Sequence, residues 1–489
     1  MKTAAVIGAG IGGLAISVRL AAKGYQVDVF EKESYPGGKL AELKSNGFRF
    51  DLGPSRLTQP ERVEALFHLM GENPSDYFTY KRLPAICRYF WPDGTRLDVP
   101  SGPNDFAYAC RDILGADPSA ISHYLTSAQD LYSLAAPLFI DQPFPTLKAF
   151  QSPVGRQIAN NLFTVDPFVT LHRRNARSFK DPRMVQLFDR YATYNGSNPY
   201  KAPATLKMTA HPEHNLGAFF PDQGMYSIVR EIAKLAVRSG VRFHYNSIVQ
   251  RVNRNTGGEQ VTGIRIDGKD FSYPLVVSDM DVNTFYRSGM IDFRSPKLGR
   301  KQPLSTSALI FYWGVEGNHD QLDLHNILFA ENYREEFKHL FKLKKMYTDP
   351  TIYIYISSKR EQNDALPGHE NWFVMVNAPE SSEQIQATEI NRIREILLKK
   401  INRLLGIDLS GKIVYEHIED PGSIERRTGS WHGSLYGKSS NSRISAFSRH
   451  PNRRSKINGL YFTGGSVHPG GGIPLCLASA EIVANLIDQ

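Results

Sequence analysis

Glycines at positions 8, 10 and 13 and a carboxylate at position 31 are the first residues whose types and spacing can do chemistry. In Val6-Ile7-Gly8-Ala9-Gly10-Ile11-Gly12-Gly13 the three stand at G-x-G-x-x-G spacing. Gly8 permits a tight turn, Gly10 lets the backbone approach a pyrophosphate, and Gly13 lets a helix pack closely on a strand. Ile11 and Gly12 complete the turn, and the helix N-terminus that follows faces the phosphate charge. Glu31 can accept hydrogen bonds from a ribose, and an acid there disfavours a 2′-phosphate. A glycine-rich structural turn is the bland alternative. Strand, turn, helix, second strand and terminal acid occur here in order, and that context points to a bound dinucleotide. No H-E-x-x-H, paired Cys-x-x-Cys, Walker loop or nucleophile elbow is present, so metal hydrolysis, phosphoryl transfer and serine catalysis have no support and no metal is expected.

The elements that must position these groups follow from periodicity. Residues 3–7 and 26–31 are predicted strands around a helix over 10–23, half of a doubly wound sheet. After Asp51 the pattern becomes longer and less regular, with helices predicted over 60–70 and 184–194 and a Pro- and aromatic-rich region over 131–168. A helix over 225–239 leads into a strand over 241–252. Strands over 261–266, 271–273 and 275–278 complete an antiparallel meander and a return strand. Strand-like runs at 308–315, 351–357 and 372–376 and an amphipathic helix over 389–405 form a second stretch of the insert. A last strand, a glycine-rich turn and a helix over 475–487 close the chain.

A length of 489 residues exceeds the ~250 to 300 at which one core stops growing. The expected layout interleaves a nucleotide-binding domain (1–85, 219–292, 426–489) with a substrate domain (86–218, 293–425). With 41% apolar and 22% charged residues the chain is globular rather than disordered. Cys87, Cys110 and Cys476 are too few and too scattered for a disulfide framework or a zinc site, which fits a reducing compartment. The net charge of +9 comes from scattered Lys and Arg, so nucleic acid is not an expected partner. A basic surface resting on anionic lipid fits better, each basic group contributing roughly 1 kcal/mol. The uncharged stretch before Arg19 resembles a secretory signal, but its glycine spacing reads as the nucleotide turn. No other run approaches the ~20 apolar residues of a span, so any membrane contact is expected to be peripheral. Residues 443–456 are a basic loop candidate.

Two further segments carry a family resemblance. Pro36-Gly37-Gly38-Lys39 follows Glu31, and Phe50-Asp51-Leu52-Gly53-Pro54-Ser55 follows that. The stretch from Val6 to Ser55 resembles the two-part FAD signature of the flavin amine oxidase and carotenoid desaturase superfamily. Leu460 to Pro474, containing Gly464-Gly465-Ser466-Val467-His468-Pro469-Gly470-Gly471-Gly472-Ile473-Pro474, resembles the C-terminal signature of the bacterial carotenoid desaturases. The resemblance implies a Rossmann-like FAD-binding domain, a doubly wound sheet with an antiparallel meander, plus an inserted α+β substrate domain. It implies that Lys39 lies along the flavin and pyrophosphate, that Gly53, Pro54, Ser55 and Arg56 lie beside the isoalloxazine, and that Val249 approaches the adenine through its backbone. Asp279, where relatives often have Asn, is expected near the adenosine half. Gly464, Gly465, Gly472, Ile473 and Pro474 bring the N-terminus of the last helix to the flavin, with Pro474 as first helical residue. The family often has Asp or Ala where Ser466 stands, which puts a ribityl contact from that side chain in doubt.

The run from Arg190 to Pro199, followed by Ala202-Pro203-Ala204-Thr205-Leu206, resembles the 3,4-desaturases of 1-hydroxylated carotenoids. The expected reaction is FAD-dependent introduction of a C-3,4 double bond into a 1-hydroxylated acyclic or monocyclic carotenoid end. Oxygen or a membrane quinone reoxidises the flavin, and the site of action is the inner face of the cell membrane. Arg56, Tyr194 and Asn195 are the candidates for recognising the substrate hydroxyl, with Tyr191 and His468 nearby. Tyr191 and Tyr194 also read as ordinary core aromatics and His468 as a structural histidine, and no catalytic base is assigned. The alternatives are a phytoene-type desaturase, a flavin amine oxidase and a non-catalytic prenyl-lipid binder.

Overall fold

Strand β1 (Thr3–Ile7) is buried from Ala4 onward because it lies in the middle of a five-stranded parallel sheet. The sheet runs Leu460–Phe462, Leu275–Ser278, β1, β2 (Gln26–Phe30), Arg242–His244, so both chain ends contribute to it. A parallel sheet is covered on both faces, which is why these strands read as continuous apolar runs. Helix α1 (Ile11–Ala22) packs between the helices Ile473–Ile487 and Tyr226–Arg238, with Leu14, Ile232 and Leu477 in one core. The computed structural model describes residues 2–144, 151–160, 168–292, 303–442 and 449–487.

The strand predicted over 241–252 is two strands. Arg242–His244 closes the parallel sheet, the chain turns at Asn246 with φ +53, and Val249–Arg254 opens the antiparallel meander with Val261–Ile266 and Lys269–Ser272. The switch was hidden because the in-and-out alternation continues from Val241 to Val249 straight across the turn. The helix predicted over 184–194 is an α-helix, Pro182–Asp189, continued by a tighter 3₁₀ stretch, Arg190–Asn195.

A second, seven-stranded sheet is ordered Ile413–Glu419, Ser307–Glu316, His369–Ala378, Ile352–Ile356, His325–Leu328, Ala85–Phe90, Arg96–Pro100. Strand alternation divides its two faces. Leu309, Phe311 and Trp313 meet Ile393, Leu397 and Ile401 of the helix Ala387–Leu405. Ala308, Ile310 and Tyr312 face the other way, into a core shared with Phe106, Tyr124 and Phe188 from the helices Pro103–Leu114, Pro118–Phe139 and Pro182–Asp189. Strands β3 (Ala41–Ser45) and β4 (Phe48–Leu52) form a hairpin turned by Asn46-Gly47, both at positive φ, as a primed turn demands. Asp51 on β4 ties the parts together: it accepts hydrogen bonds from the amides of Met225 and Tyr226 and from the Tyr355 hydroxyl, and pairs with Arg49.

Of the aromatic-rich region, the helices Pro118–Phe139 and Pro153–Asn160 are seen, while 145–150 and 161–167 lie outside the described residues. The same holds for 443–448 of the basic loop candidate. Among the described residues no helix is long and apolar enough to cross a membrane.

Candidate active site

Because β1 and Leu275–Ser278 run parallel and adjacent, their C-terminal ends deliver Gly8 and Asp279 to one place. Gly8, at φ +96, donates its N–H to the Phe30 carbonyl at 2.8 Å. A Cβ on Gly13 would stand 2.0 Å from the Gly8 oxygen, so only glycine lets α1 approach β1 this closely. A Cβ on Gly10, Gly12 or Gly464 would stand 2.4, 2.5 or 2.1 Å from a carboxyl oxygen of Asp279. The glycines thus line a cradle at the N-terminus of α1, and an acid sits in it. Burial pushes the Asp279 carboxyl up to about 7; the amides of Gly13 and Gly10, which donate to it, and Lys39 pull the other way. The backbone amides of Gly13 and Gly10 that donate to this carboxyl, at the start of a helix and with Lys39 near, are groups that fit a pyrophosphate. Asp279, expected toward the adenosine half, stands where its strand ends, beside Gly8, Gly10, Gly12 and Gly464.

Glu31 lies at the far side of the turn, buried, accepting from the amides of Ala9 at 2.7 Å and Glu33 at 3.0 Å. Its own carbonyl accepts from Ser247 N–H at 2.8 Å, which brings the start of the Val249 strand beside it. The Val249 side chain is packed in the core with Phe30 and Ile266, so its strand-core role and its place next to Glu31 coexist.

Gly37 donates to the Ala9 carbonyl at 2.8 Å, laying the second glycine pair across the first. Lys39 Nζ donates to the carbonyls of Leu435 at 2.6 Å and Ser434 at 3.3 Å. Burial lowers its pKa against the opposing pull of Asp281, Cys476 and Asp279. Gly53, at φ +103, is pressed onto Lys39, where a Cβ would stand 2.2 Å from the Lys39 oxygen; this fixes Pro54, Ser55 and Arg56 at the next position along. From the other chain end, Gly464 and Gly465 lead to the helix Ile473–Ile487, whose first residue is Ile473 and not Pro474, a shift of one within ordinary end fraying. Gly472, at φ +109, has open space around its Cβ position. The Ser466 hydroxyl accepts from Val282 N–H at 2.9 Å and so serves the fold. The buried hydroxyl oxygens of Thr463 and Ser434 have no hydrogen-bond partner among the described residues. Buried polar groups are normally paired, and the hydroxylated chain of a flavin cofactor is one partner of suitable chemistry.

Arg56 lies deepest. Its guanidinium pairs with Glu213 at 2.5 Å and donates to Tyr194 Oη at 2.9 Å and to the Ile86 carbonyl at 3.2 Å. Arg190 donates to Tyr194 Oη at 2.6 Å and to Glu213 at 3.1 Å, and lies over the rings of Tyr89, Tyr191 and Tyr194. Tyr194 donates to Glu213, as does Tyr191 at 3.0 Å, and the Tyr191 hydroxyl also meets His214 Nε2 at 2.6 Å. Burial resists the charge on Glu213, but Arg56 and Arg190 win and hold its carboxyl below the usual range. Burial takes His214 down to about 4, so it is neutral and the cluster carries two cations on one anion. Tyr191 lies in the core, Tyr194 packs partly buried against it, and the hydroxyls of both have partners.

Asn195 points elsewhere, donating to Ser440 Oγ at 3.2 Å. His468 meets the Gln142 carbonyl through Nε2 at 3.0 Å and packs edge-on to Phe144. Burial lowers it to about 4, so it is a neutral latch between the C-terminal loop and the end of the helix Pro118–Phe139. Ser55 Oγ instead meets Tyr353 Oη at 2.6 Å, which also meets His325 Nδ1 at 2.8 Å. Glu213, Arg190, Tyr353 and His325 were missed as site residues. Glu213 is an isolated acid in a weakly charged stretch, a faint clue; Tyr353 and His325 meet only through strand pairing that no local pattern reveals.

Comparison with known proteins places this geometry. The family described as flavin containing amine oxidoreductase matches residues 11–488. The chain is 42% identical, over 100% of its own length and 99% of the other's, to a 1-hydroxycarotenoid 3,4-desaturase of Flavobacterium sp. (strain P99-3). It is 31% identical, over 99% and 97%, to a 4,4′-diaponeurosporene oxygenase of Staphylococcus aureus (strain MSSA476). In fold it is similar to a putrescine oxidase triple mutant, with TM-score 0.63 and 15% identity over 100% of this chain and 98% of that one. With residues 11–488 matched and one relative alike from end to end, the chain belongs to the flavin-containing amine oxidoreductase family and uses FAD.

Proposed function

We propose that the protein is an FAD-dependent carotenoid desaturase that introduces a C-3,4 double bond into the 1-hydroxylated end of an acyclic or monocyclic carotenoid. The observation that carries this reading is the full-length 42% identity to a protein of that activity. The more distant oxygenase relatives also bear a carotenoid name. An unhydroxylated phytoene-type substrate, an amine or mere lipid carriage has no comparable support.

The FAD pyrophosphate is assigned to Gly8, Gly10, Ile11, Gly12 and Gly13, with the Asp279 carboxyl moving aside. The ribose goes to Glu31, the adenine to the Val249 backbone, and the ring to Lys39, Gly53 to Arg56, Gly464, Gly465 and Gly472 to Pro474. The bound flavin supplies the hydride acceptor. The chain's own residues hold the polyene so that the reacting carbon lies about 3 to 3.5 Å from that acceptor. One hydrogen would pass to that acceptor as hydride, its neighbour would leave to solvent as a proton, and a conjugated double bond would remain. The aromatic core that contains Tyr312 and Phe373, with Tyr353 partly exposed against it, would be the apolar floor for so extended a molecule. The interleaved segments 1–85, 219–292 and 426–489 form the FAD-binding domain, and 86–218 and 293–425 the substrate domain. Peripheral contact with an anionic membrane and an oxygen or quinone acceptor complete the proposal.

Expression in cells that make a 1-hydroxy carotenoid tests it. The expected product absorbs at longer wavelength and is lighter by two hydrogens. Desaturation of phytoene with no change in the hydroxylated carotenoid would overturn it.

A further inference from the structure

Tyr353 and His325 sit on neighbouring strands of the seven-stranded sheet, Ile352–Ile356 and His325–Leu328, on the face turned to the inner core. The Tyr353 hydroxyl bridges His325 Nδ1 at 2.8 Å and Ser55 Oγ at 2.6 Å, and Ser55 is anchored to the cofactor-facing loop through Gly53 and Lys39. His325 is buried, and its Nε2 has no partner among the described residues. A buried N–H left unpaired is rarer than a bare lone pair, so the proton belongs on Nδ1. The bridge then has a direction: His325 donates to Tyr353, Tyr353 donates to Ser55, and the Ser55 hydroxyl hydrogen remains free. Burial, followed by the charge of Arg56, holds His325 well below its usual pKa, so it stays neutral. Ser55 and Tyr353 are only half-buried, unlike His325 behind them.

We propose that the Ser55–Tyr353–His325 bridge is the specificity-determining element that recognises the substrate's hydroxyl, with Ser55 donating to it and Tyr353 fixing the direction. This rests on the function proposed above. The chemistry fits a neutral alcohol: neutral donors and acceptors stand in a row, and the neighbouring Arg56 guanidinium is already paired with Glu213. The position fits as well. In a 1-hydroxylated end the hydroxyl-bearing carbon is separated by a single carbon from the bond to be oxidised. Whatever binds the hydroxyl must therefore adjoin the flavin ring, where the family resemblance puts Ser55. Tyr194, by contrast, already has its hydrogen on Glu213 and receives Arg56 and Arg190, and Asn195 gives its amide N–H to Ser440, leaving only an acceptor oxygen.

The test compares a 1-hydroxy carotenoid with the same skeleton lacking the hydroxyl, in wild type, Tyr353→Phe and His325→Leu. Two readouts are taken: polyene binding, by quenching of flavin fluorescence, and turnover. FAD content and melting temperature identify any variant that fails to fold. The wild type is expected to prefer the hydroxylated compound in both readouts, and either folded variant to lower that preference on the order of tenfold or more. Equal preference in wild type and both variants would overturn the inference while turnover leaves the proposed reaction standing. Hydroxyl-dependent binding, lost in the variants, with no desaturation of either compound would do the reverse.

Discussion

The carboxyl of Asp279 lies among Gly10, Gly12, Gly13 and Gly464, and this enclosure raises its pKa to about 7. Below that pH it is largely neutral; above it, its negative charge occupies the place proposed for the pyrophosphate. FAD affinity should therefore fall as pH rises from 6 to 9, by up to about tenfold per unit beyond the pKa. Asp279→Asn should bind FAD more tightly at pH 8 and flatten this dependence, as fluorescence titration at several pH values would show. A parallel slope in wild type and variant would dismiss the carboxyl as its source. Glu213 behaves oppositely. Its carboxyl is held low by Arg56 and Arg190, so the stability it supplies is present above the usual carboxylate range and is lost as pH falls toward its depressed value. Glu213→Gln leaves two buried guanidiniums without an anion and should cost about 3 to 5 kcal/mol at pH 7. The difference in melting temperature from wild type should shrink on acidification.

At the scale of elements, the close approach of α1 to β1 is set by Gly13. Gly13→Ala forces a methyl against the Gly8 carbonyl and should separate helix from strand, with loss of FAD binding and a lower melting temperature. Retention of FAD at wild-type affinity would contradict the cradle. This part of the fold was legible because turn, helix and flanking strands each leave a local mark. The seven-stranded sheet was legible only in part. Its strands Ala85–Phe90 and Arg96–Pro100 went unpredicted although Trp91-Pro92-Asp93-Gly94-Thr95 is a hairpin turn in type, closed by Trp91 N–H to Thr95 O at 2.9 Å. The strand break at Asn246 escaped because a positive φ at asparagine leaves apolar alternation intact. At the site, glycines and Glu31 were legible since their spacing is local. Glu213, Tyr353 and His325 were not, because their partners come from strands and turns far apart in the chain.

Over the whole molecule, the two chain ends meet in one parallel sheet, and Asp51 joins that region to the floor of the insert through Tyr355. In the proposed function the first region would hold the cofactor and the second the polyene, so the two would share one interior. The net charge of +9 predicts that the protein sediments with vesicles containing anionic lipid and is released by salt; indifference to lipid charge would remove the membrane-docking proposal. The account stands most directly on an anaerobic titration of the FAD-loaded protein with a 1-hydroxy carotenoid. It predicts that the flavin's visible band bleaches in step with a red shift of the polyene, one flavin for each double bond formed. A red shift with the flavin still oxidised, or no change in either chromophore, would contradict it.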